Sequence, residues 1–303
     1  MSLLQRVSSE HADRRTGRSA AARAGTRGGQ VERRGPNRPK FVQSWHKTIT
    51  PQASEAEAPQ AQQLDHIDIW LAHPDSLLRA HSSLRVLTPE DWTTFDRIGD
   101  SSTRHCAVAS RILLRLGLSR AAGHQIAPGA WRFKTVAHGK PAVADNLPDL
   151  KFSVSHTDRL AAVAISPHLA VGIDVEGVDQ NVSENVVTSF SHPGEKSALS
   201  VLLPRQKVRE FIRLWTLKEA LAKMIGTGMS LDFDTTRFRL DPVQLAADAD
   251  EKSTPNTHFE SIYVSVEHFL YHVSLAVEKP KDQWLPTEVR IITLAEQKSG
   301  TSS

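Results

Sequence analysis

Val171-Gly172-Ile173-Asp174-Val175-Glu176 is the stretch from which the rest of the chain can be read. Side chains alternate across a strand, so Val171, Ile173 and Val175 point one way, into a core, and Gly172, Asp174 and Glu176 point the other. Two carboxylates are left on one face, about 7 Å apart given a rise of roughly 3.3 Å per residue. Like charges at that spacing repel unless a cation or basic groups lie between them. Taken alone, the segment also reads as a strand edge facing solvent.

Outward from this strand the chain alternates between strand and helix signals. On the N-terminal side, Phe152-Ser153-Val154-Ser155-His156 and Ala161 to Ile165 predict two short strands, and Ala137-His138-Gly139-Lys140-Pro141 a polar turn. Residues 104–116 predict a helix ending near Gly117. Thr88-Pro89-Glu90-Asp91 has helix-start chemistry: a capping hydroxyl, proline in the first turn, then acids against the dipole. His66 to Leu71 alternates like a strand. On the C-terminal side, residues 184–200 and 206–225 predict helices, the second stopped by Gly226 and Gly228. Strands are expected around Phe233 to Leu240, Ile262 to Glu267 and Tyr271 to Val277, with 242–258, holding Pro255, as an inserted loop. This rhythm predicts an α+β fold of two pseudo-symmetric halves, 64–165 and 166–280, the second carrying the acidic strand.

The 303 residues are enough for one large domain or two small ones. A single cysteine, Cys106, excludes a disulfide scaffold and a cysteine-based zinc site, and it points to a reducing, cytoplasmic setting. No apolar run approaches the roughly 18–20 residues of a membrane span. The richest one, Leu160 to Ile173, is broken by Ser166, Pro167 and His168. The net charge of +3 divides unevenly: residues 1–40 hold ten basic and three acidic side chains, and the remainder 27 basic and 31 acidic. Residues 1–63 are therefore expected to be a disordered basic tail and linker, and 281–303 a C-terminal surface tail. The tail's arginines leave open nucleic-acid contact or organelle targeting beside the plainer reading of a solvated extension.

Two further segments carry chemistry. In Trp215-Thr216-Leu217-Lys218-Glu219-Ala220-Leu221-Ala222-Lys223, residues Trp215, Glu219 and Lys223 fall at i, i+4 and i+8 and share a helical stripe. Phe152 to His156 places two hydroxyls and an imidazole at a strand end, with no Gly-x-Ser-x-Gly elbow to suggest a serine hydrolase. Asp174, Glu176 and Glu219 can together supply three hard oxygen ligands, which suits Mg²⁺. Lys223 can place a charge on a phosphate at the same ion, and Lys140 and His156 can add anion contacts. Such a site would grip a pyrophosphate. Another Mg²⁺-dependent transferase or hydrolase acting on pyrophosphates stays open at this point.

The ordered set Gly139-Lys140-Pro141, Phe152 to His156, Val171 to Glu176 and Trp215-x-x-Lys218-Glu219-Ala220-x-x-Lys223-x-x-Gly226 resembles the 4′-phosphopantetheinyl transferase superfamily, in its two-half, surfactin-synthetase type. The match runs over about 64–280. The resemblance implies the fold of that family and transfer of the phosphopantetheine arm of coenzyme A to a serine of an apo acyl or peptidyl carrier protein, releasing 3′,5′-ADP. It implies Asp174, Glu176 and Glu219 as Mg²⁺ ligands and Lys223 at the coenzyme A pyrophosphate. Ser155, His156 and Lys140 are implied near the adenosine 3′-phosphate, with Glu195 as an acid near the site. Glu219 is the first choice for general base and Glu195 the second. Relatives carry Asn where this chain has Ser153, and lysines where it has Asp91 and Thr94; Arg104 and His105 are the local substitutes expected at the 3′-phosphate. Arg111, Arg115 and Arg120, near one helix, are candidates for a basic patch facing the carrier, with a solvated helix face as the alternative reading. A monomer without membrane attachment is implied.

Overall fold

The computed structural model describes residues 4, 46–49, 65–79, 81–246, 256–279 and 287–294. In chain order these form β1 (His46–Ile49), β2 (Asp65–Ala72), α1 (Pro74–Arg79), α2 (His81–Leu84), α3 (Pro89–Phe95) and α4 (Ser101–Ala121). Next come β3 (Phe133–Thr135), β4 (Pro141–Val143), β5 (Lys151–His156), β6 (Ala161–Ser166) and β7 (Val171–Gly177). The second half follows with α5 (Glu184–Phe190), α6 (Pro193–Ser200), α7 (Pro204–Ile225), β8 (Phe238–Leu240), β9 (Val243–Leu245), β10 (Thr257–Val266), β11 (Phe269–Glu278) and β12 (Thr287–Leu294).

The elements stack as helix, sheet, sheet, helix. One sheet has the order β1-β12-β2-β6-β5 and the other β10-β11-β7. Among the described residues every pairing is antiparallel except that of β12 with β2. The facing sides of the sheets share a dry core: Ile67, Ile69 and Leu71 of β2 and Ala162 and Ala164 of β6, with Ile173, Val175, Val273 and Leu275 from β7 and β11. Helix α4 covers the far side of the first sheet, its Ile112, Leu113 and Leu118 sharing a core with Trp70, Val163 and Ile165. Helix α7 covers the far side of the second, placing Ile212, Leu217 and Ala220 with Phe259 and Ala276. Each half is thus a sheet with one long helix on its outer face, the mixed α+β architecture expected from the sequence rhythm.

Local signals explain most boundaries. Thr88 and Asp91 form a reciprocal capping box at the start of α3. Helix α4 does not stop near Gly117 but runs on to Ala121. There glycine serves close approach: a Cβ would lie 2.6 Å from Ile165 Cδ1. The single helix expected over 184–200 is two helices, because Pro193 lacks a backbone N–H and biases His192 to extended backbone, where it caps α6. Helix α7 ends at Gly226, in the left-handed region at φ 87°.

Short pieces of the segments read as tails lie in ordered elements. Residues 287–294 form β12, inserted between β1 and β2, because Val289 and Ile291 join the inter-sheet core and Arg290 pairs with Asp68. The expected linker includes β1, and Leu4 is fully buried in the core beneath α7. The rest of the expected 1–63 tail, residue 65 onward being β2, lies outside the described residues.

Candidate active site

Strand β7 has both faces buried, so the solvent-edge reading of its acids does not hold. Its even residues sit in three rungs running across the second sheet under α7: Phe259–Ala276–Gly172, Ser261–Ser274–Asp174 and Tyr263–His272–Glu176. Residues directly opposite in an antiparallel ladder share a face. That face therefore changes from apolar to polar along the strands, and the two acids lie at its polar end. Along the other edge of β7 runs β5. Ser153 Oγ accepts from the Ile173 N–H at 3.1 Å, and Ser155 Oγ donates to Asp174 Oδ1 at 2.7 Å. The two serines stitch one sheet to the other beside the acids.

Helix α7 supplies the remaining groups. Lys223 Nζ donates to Asp174 Oδ1 at 2.7 Å and to Ser155 Oγ at 3.0 Å. Its side chain keeps 27% exposure while that of Asp174 keeps 7%, so the cluster opens to solvent at the lysine. Burial pulls the Lys223 ammonium down, but the charges of Asp174, Glu219 and Glu176 outweigh it and hold its pKa above the usual lysine value. Glu219, one turn before Lys223, is pushed up to about 7, first by burial and then by the Asp174 charge, with Lys223 opposing.

Asp174, Glu219, Lys223 and Ser155 are thus brought together. Glu176 lies next along the same face and accepts from Gln180 Nε2 at 3.1 Å. Among the described residues, no three carboxylate, imidazole or thiol side chains converge closely enough as they stand to hold an ion. The donor set nevertheless suits a hard cation. Asp174 Oδ2 and Glu219 Oε1 are buried oxygens without a hydrogen-bond donor, on two acids that repel each other. Buried acceptors left unmatched are costly, and a hard divalent ion is one partner that would satisfy both.

The other expected residues are placed elsewhere. His156 ends β5, beside Ser155 in sequence and on the opposite side of the strand by alternation. Lys140 donates to Met224 O at 2.9 Å and so satisfies a carbonyl of the last turn of α7. It also lines a cavity of about 500 Å³ with Lys134, Pro141, Lys151, Phe152 and Ala170. Arg104 donates twice to Ile98 O, and His105 lies 2.9 Å from Asp75. Both brace the start of α4. Arg115 is no surface residue: it is buried on Asp91 and donates to Pro128 O and Trp131 O. Arg111 pairs with Asp91 and lies over Phe133, and Arg120 lies over Trp70. Asp91 and two carbonyls take up the charges of Arg111 and Arg115, so of the three expected in a basic patch only Arg120 is exposed.

Glu195 stands apart from the cluster. Its Oε2 accepts from Lys218 Nζ at 2.6 Å and from the His192 N–H, and its Oε1 accepts from the Phe238 N–H at 2.8 Å. Lys218 also donates to Phe190 O and Phe233 O. Both side chains are at most 2% exposed, so the pair is a structural knot joining α6, α7 and β8. Sequence reasoning passed over Lys218 although it lies in the quoted motif. Its signal was its place one residue off the stripe of Trp215, Glu219 and Lys223, which turns it toward a different wall.

The family model for the 4′-phosphopantetheinyl transferase superfamily matches residues 170–275, which span β7 to β11. A 4′-phosphopantetheinyl transferase of Bacillus subtilis is 31% identical over 172 residues, covering 57% of this chain and 75% of that protein. The transferase HetI of Nostoc is 30% identical over 172 residues, 55% of this chain and 71% of that protein. The human L-aminoadipate-semialdehyde dehydrogenase-phosphopantetheinyl transferase is 24% identical over 218 residues, 65% and 69% respectively.

Proposed function

Since the chain belongs to the 4′-phosphopantetheinyl transferase superfamily and moves the phosphopantetheine arm of coenzyme A onto a carrier protein, we propose that Asp174, Glu176 and Glu219 hold the Mg²⁺ this reaction uses and that Lys223 grips the pyrophosphate. The observation that carries the metal assignment is the pair of donorless buried oxygens, Asp174 Oδ2 and Glu219 Oε1. These two oxygens would hold the ion, and the Lys223 bond is to the other oxygen of Asp174, Oδ1.

The chain's own residues do the following. Ser155 and Lys223 fix the Asp174 carboxylate by two hydrogen bonds to one oxygen, leaving the other turned to the site. Lys223, partly exposed at the mouth, places its positive charge where the departing 3′,5′-ADP gathers negative charge. Glu219 remains the first choice to take the proton of the attacking carrier serine, through a water, because holding the ion would lower its own proton affinity. Bound Mg²⁺ supplies charge neutralisation on the pyrophosphate oxygens. Lys140, beside the 500 Å³ cavity, and Ser155 and His156 on the β5 edge are the residues for the adenosine end of coenzyme A. Arg104 and His105, committed to Ile98 O and Asp75, contribute there only by releasing those partners.

The carrier is an acyl or peptidyl carrier protein, and the enzyme acts as a monomer in the cytoplasm. Support for that setting is the single thiol, Cys106, which is buried. Among the described residues no helix is long and apolar enough to cross a membrane. The test is incubation with coenzyme A, Mg²⁺ and a panel of apo carriers, read by mass spectrometry. A gain of about 340 Da on a carrier is expected, the mass of the arm. No gain on any carrier, or a gain undiminished in Glu219→Gln, would refute the assignment.

A further inference from the structure

Beside the acids, under α7, lies a buried polar network to which the mechanism assigns no task. Thr216 Oγ1 lies 2.9 Å from His272 Nδ1, 2.8 Å from Ser274 Oγ and 3.1 Å from Arg213 O. His272 Nε2 lies 2.9 Å from Ser261 Oγ, which accepts from Arg213 Nε at 3.1 Å. Thr216, His272 and Ser274 are all fully buried. Proton counting fixes one direction that uses every contact. Arginine only donates, and the Arg213 carbonyl only accepts. Thr216 then gives its proton to Arg213 O and receives from His272 Nδ1–H and from Ser274, while Ser261 donates to His272 Nε2. The loop leaves Arg213 by its side chain and returns to it by its carbonyl. The opposite imidazole tautomer leaves the Ser261 proton unused and gives up either the Arg213 O contact or, if Ser274 donates to His272 Nδ1 at 3.5 Å, the Thr216–Ser274 contact.

The network's place is what gives it a role. Ser274 is the rung partner of Asp174, and His272 that of Glu176. Thr216 is one turn before Glu219 on α7. The hub therefore ties the helix that carries one acid to the strand lying directly beside the other two. Apolar packing alone permits small rotations of a helix on a sheet, whereas directional hydrogen bonds to fixed partners do not.

We propose that Thr216, His272, Ser274 and Ser261, closed on Arg213, are positioning residues that set the rotation of α7 and thereby hold Glu219 in register with Asp174 and Glu176 for the divalent ion. This deepens the metal reading above and rests on it. His272 is neutral and carries its proton on Nδ1. Partners that orient metal ligands in this way typically control affinity by 10–100-fold.

The experiment uses the full chain without coenzyme A or carrier and follows Mn²⁺ binding by electron paramagnetic resonance, with thermal unfolding as the fold control. Thr216→Val should bind Mn²⁺ about tenfold more weakly while folded, and Thr216→Ser should restore wild-type binding. In turnover, Thr216→Val should raise the Mg²⁺ requirement and leave KM for coenzyme A unchanged. Nitrogen-15 shifts of His272 should report the Nδ1–H form. Should Thr216→Val not fold, Ser274→Ala is read in the same way. A folded variant that binds Mn²⁺ like wild type, or an Nε2–H imidazole, overturns the proposal. Glu219→Gln tests the metal reading separately: unchanged Mn²⁺ binding in that variant refutes the ligand set, and the imidazole tautomer still judges the ring.

Discussion

Gly172 on β7 lies directly beneath Ala220 on α7, so closely that a Cβ on the glycine would stand 1.9 Å from the Ala220 carbonyl oxygen and 2.5 Å from the Met224 amide nitrogen. Both obstacles are backbone, which cannot swing aside as a side chain can. The helix carrying Glu219 and Lys223 therefore rests on the strand carrying Asp174 and Glu176 only because position 172 has no side chain.

Gly172→Ala should push the helix outward at that point. Overpacking of this kind costs about 1–3 kcal/mol or more. Urea unfolding should show a stability loss of that order. Transferase turnover per folded molecule should fall as well, since the acids are displaced from one another.

Glu219 should make metal binding pH-dependent. Its pKa in the metal-free protein is raised from the ordinary 4.5 to about 7. The sign follows: its protonated form stabilises the fold fully below about pH 4.5, and that contribution is lost as pH rises through about 7. A divalent ion competes with this proton. The thermal upshift given by Mg²⁺ should therefore grow between pH 6 and pH 8, with proton release detectable by calorimetry in buffers of different ionisation heat. In Glu219→Gln the upshift should be small and flat with pH.

Lys218 and Glu195 form a buried pair whose partners cannot be separated cheaply. Burial lowers the Lys218 pKa, and Glu195 works against that. Lys218→Met leaves Glu195 charged in a dry site and should cost about 3–5 kcal/mol in chemical unfolding. Adding Glu195→Gln should recover part of the loss. In the single variant Glu195→Gln, stability should fall while transfer per folded molecule stays close to wild type, because both oxygens of Glu195 already accept from donors within the fold.

His272 is held down to about 3, by burial first and by the Arg213 charge second. A histidine kept neutral in the fold contributes stability above its unfolded value near 6.5, and this is lost as pH falls toward 3. The slope attributable to His272 is at most about 1.4 kcal/mol per pH unit. Unfolding free energies measured between pH 7 and pH 4 should decline accordingly, and His272→Gln should decline less steeply.

Much of this was legible from local pattern. The alternation in Val171 to Glu176 placed Ile173 and Val175 in the core and the acids together, and the Thr88–Asp91 box announced α3. What pattern could not supply was the second wall. Burial of the acid face depends on α7, more than thirty residues on, and a two-residue period is the same whether the opposite side meets water or a helix. For the same reason Arg115 read as a surface charge: nothing near it in sequence reveals that Asp91 and two carbonyls receive it. Ser153 gains its meaning only from the Ile173 amide across the sheet boundary. Gly117 and Gly172 are both close-approach glycines, yet only the helix and strand they touch distinguish them from a stop or a bulge.

The insertion of β12 between β1 and β2 bears on how the molecule is made. On the ribosome, Asp65–Ala72 emerges more than two hundred residues before the segment that hydrogen-bonds along it in parallel. Until residues 287–294 have emerged, β2 has one edge unpaired and the first sheet cannot be completed.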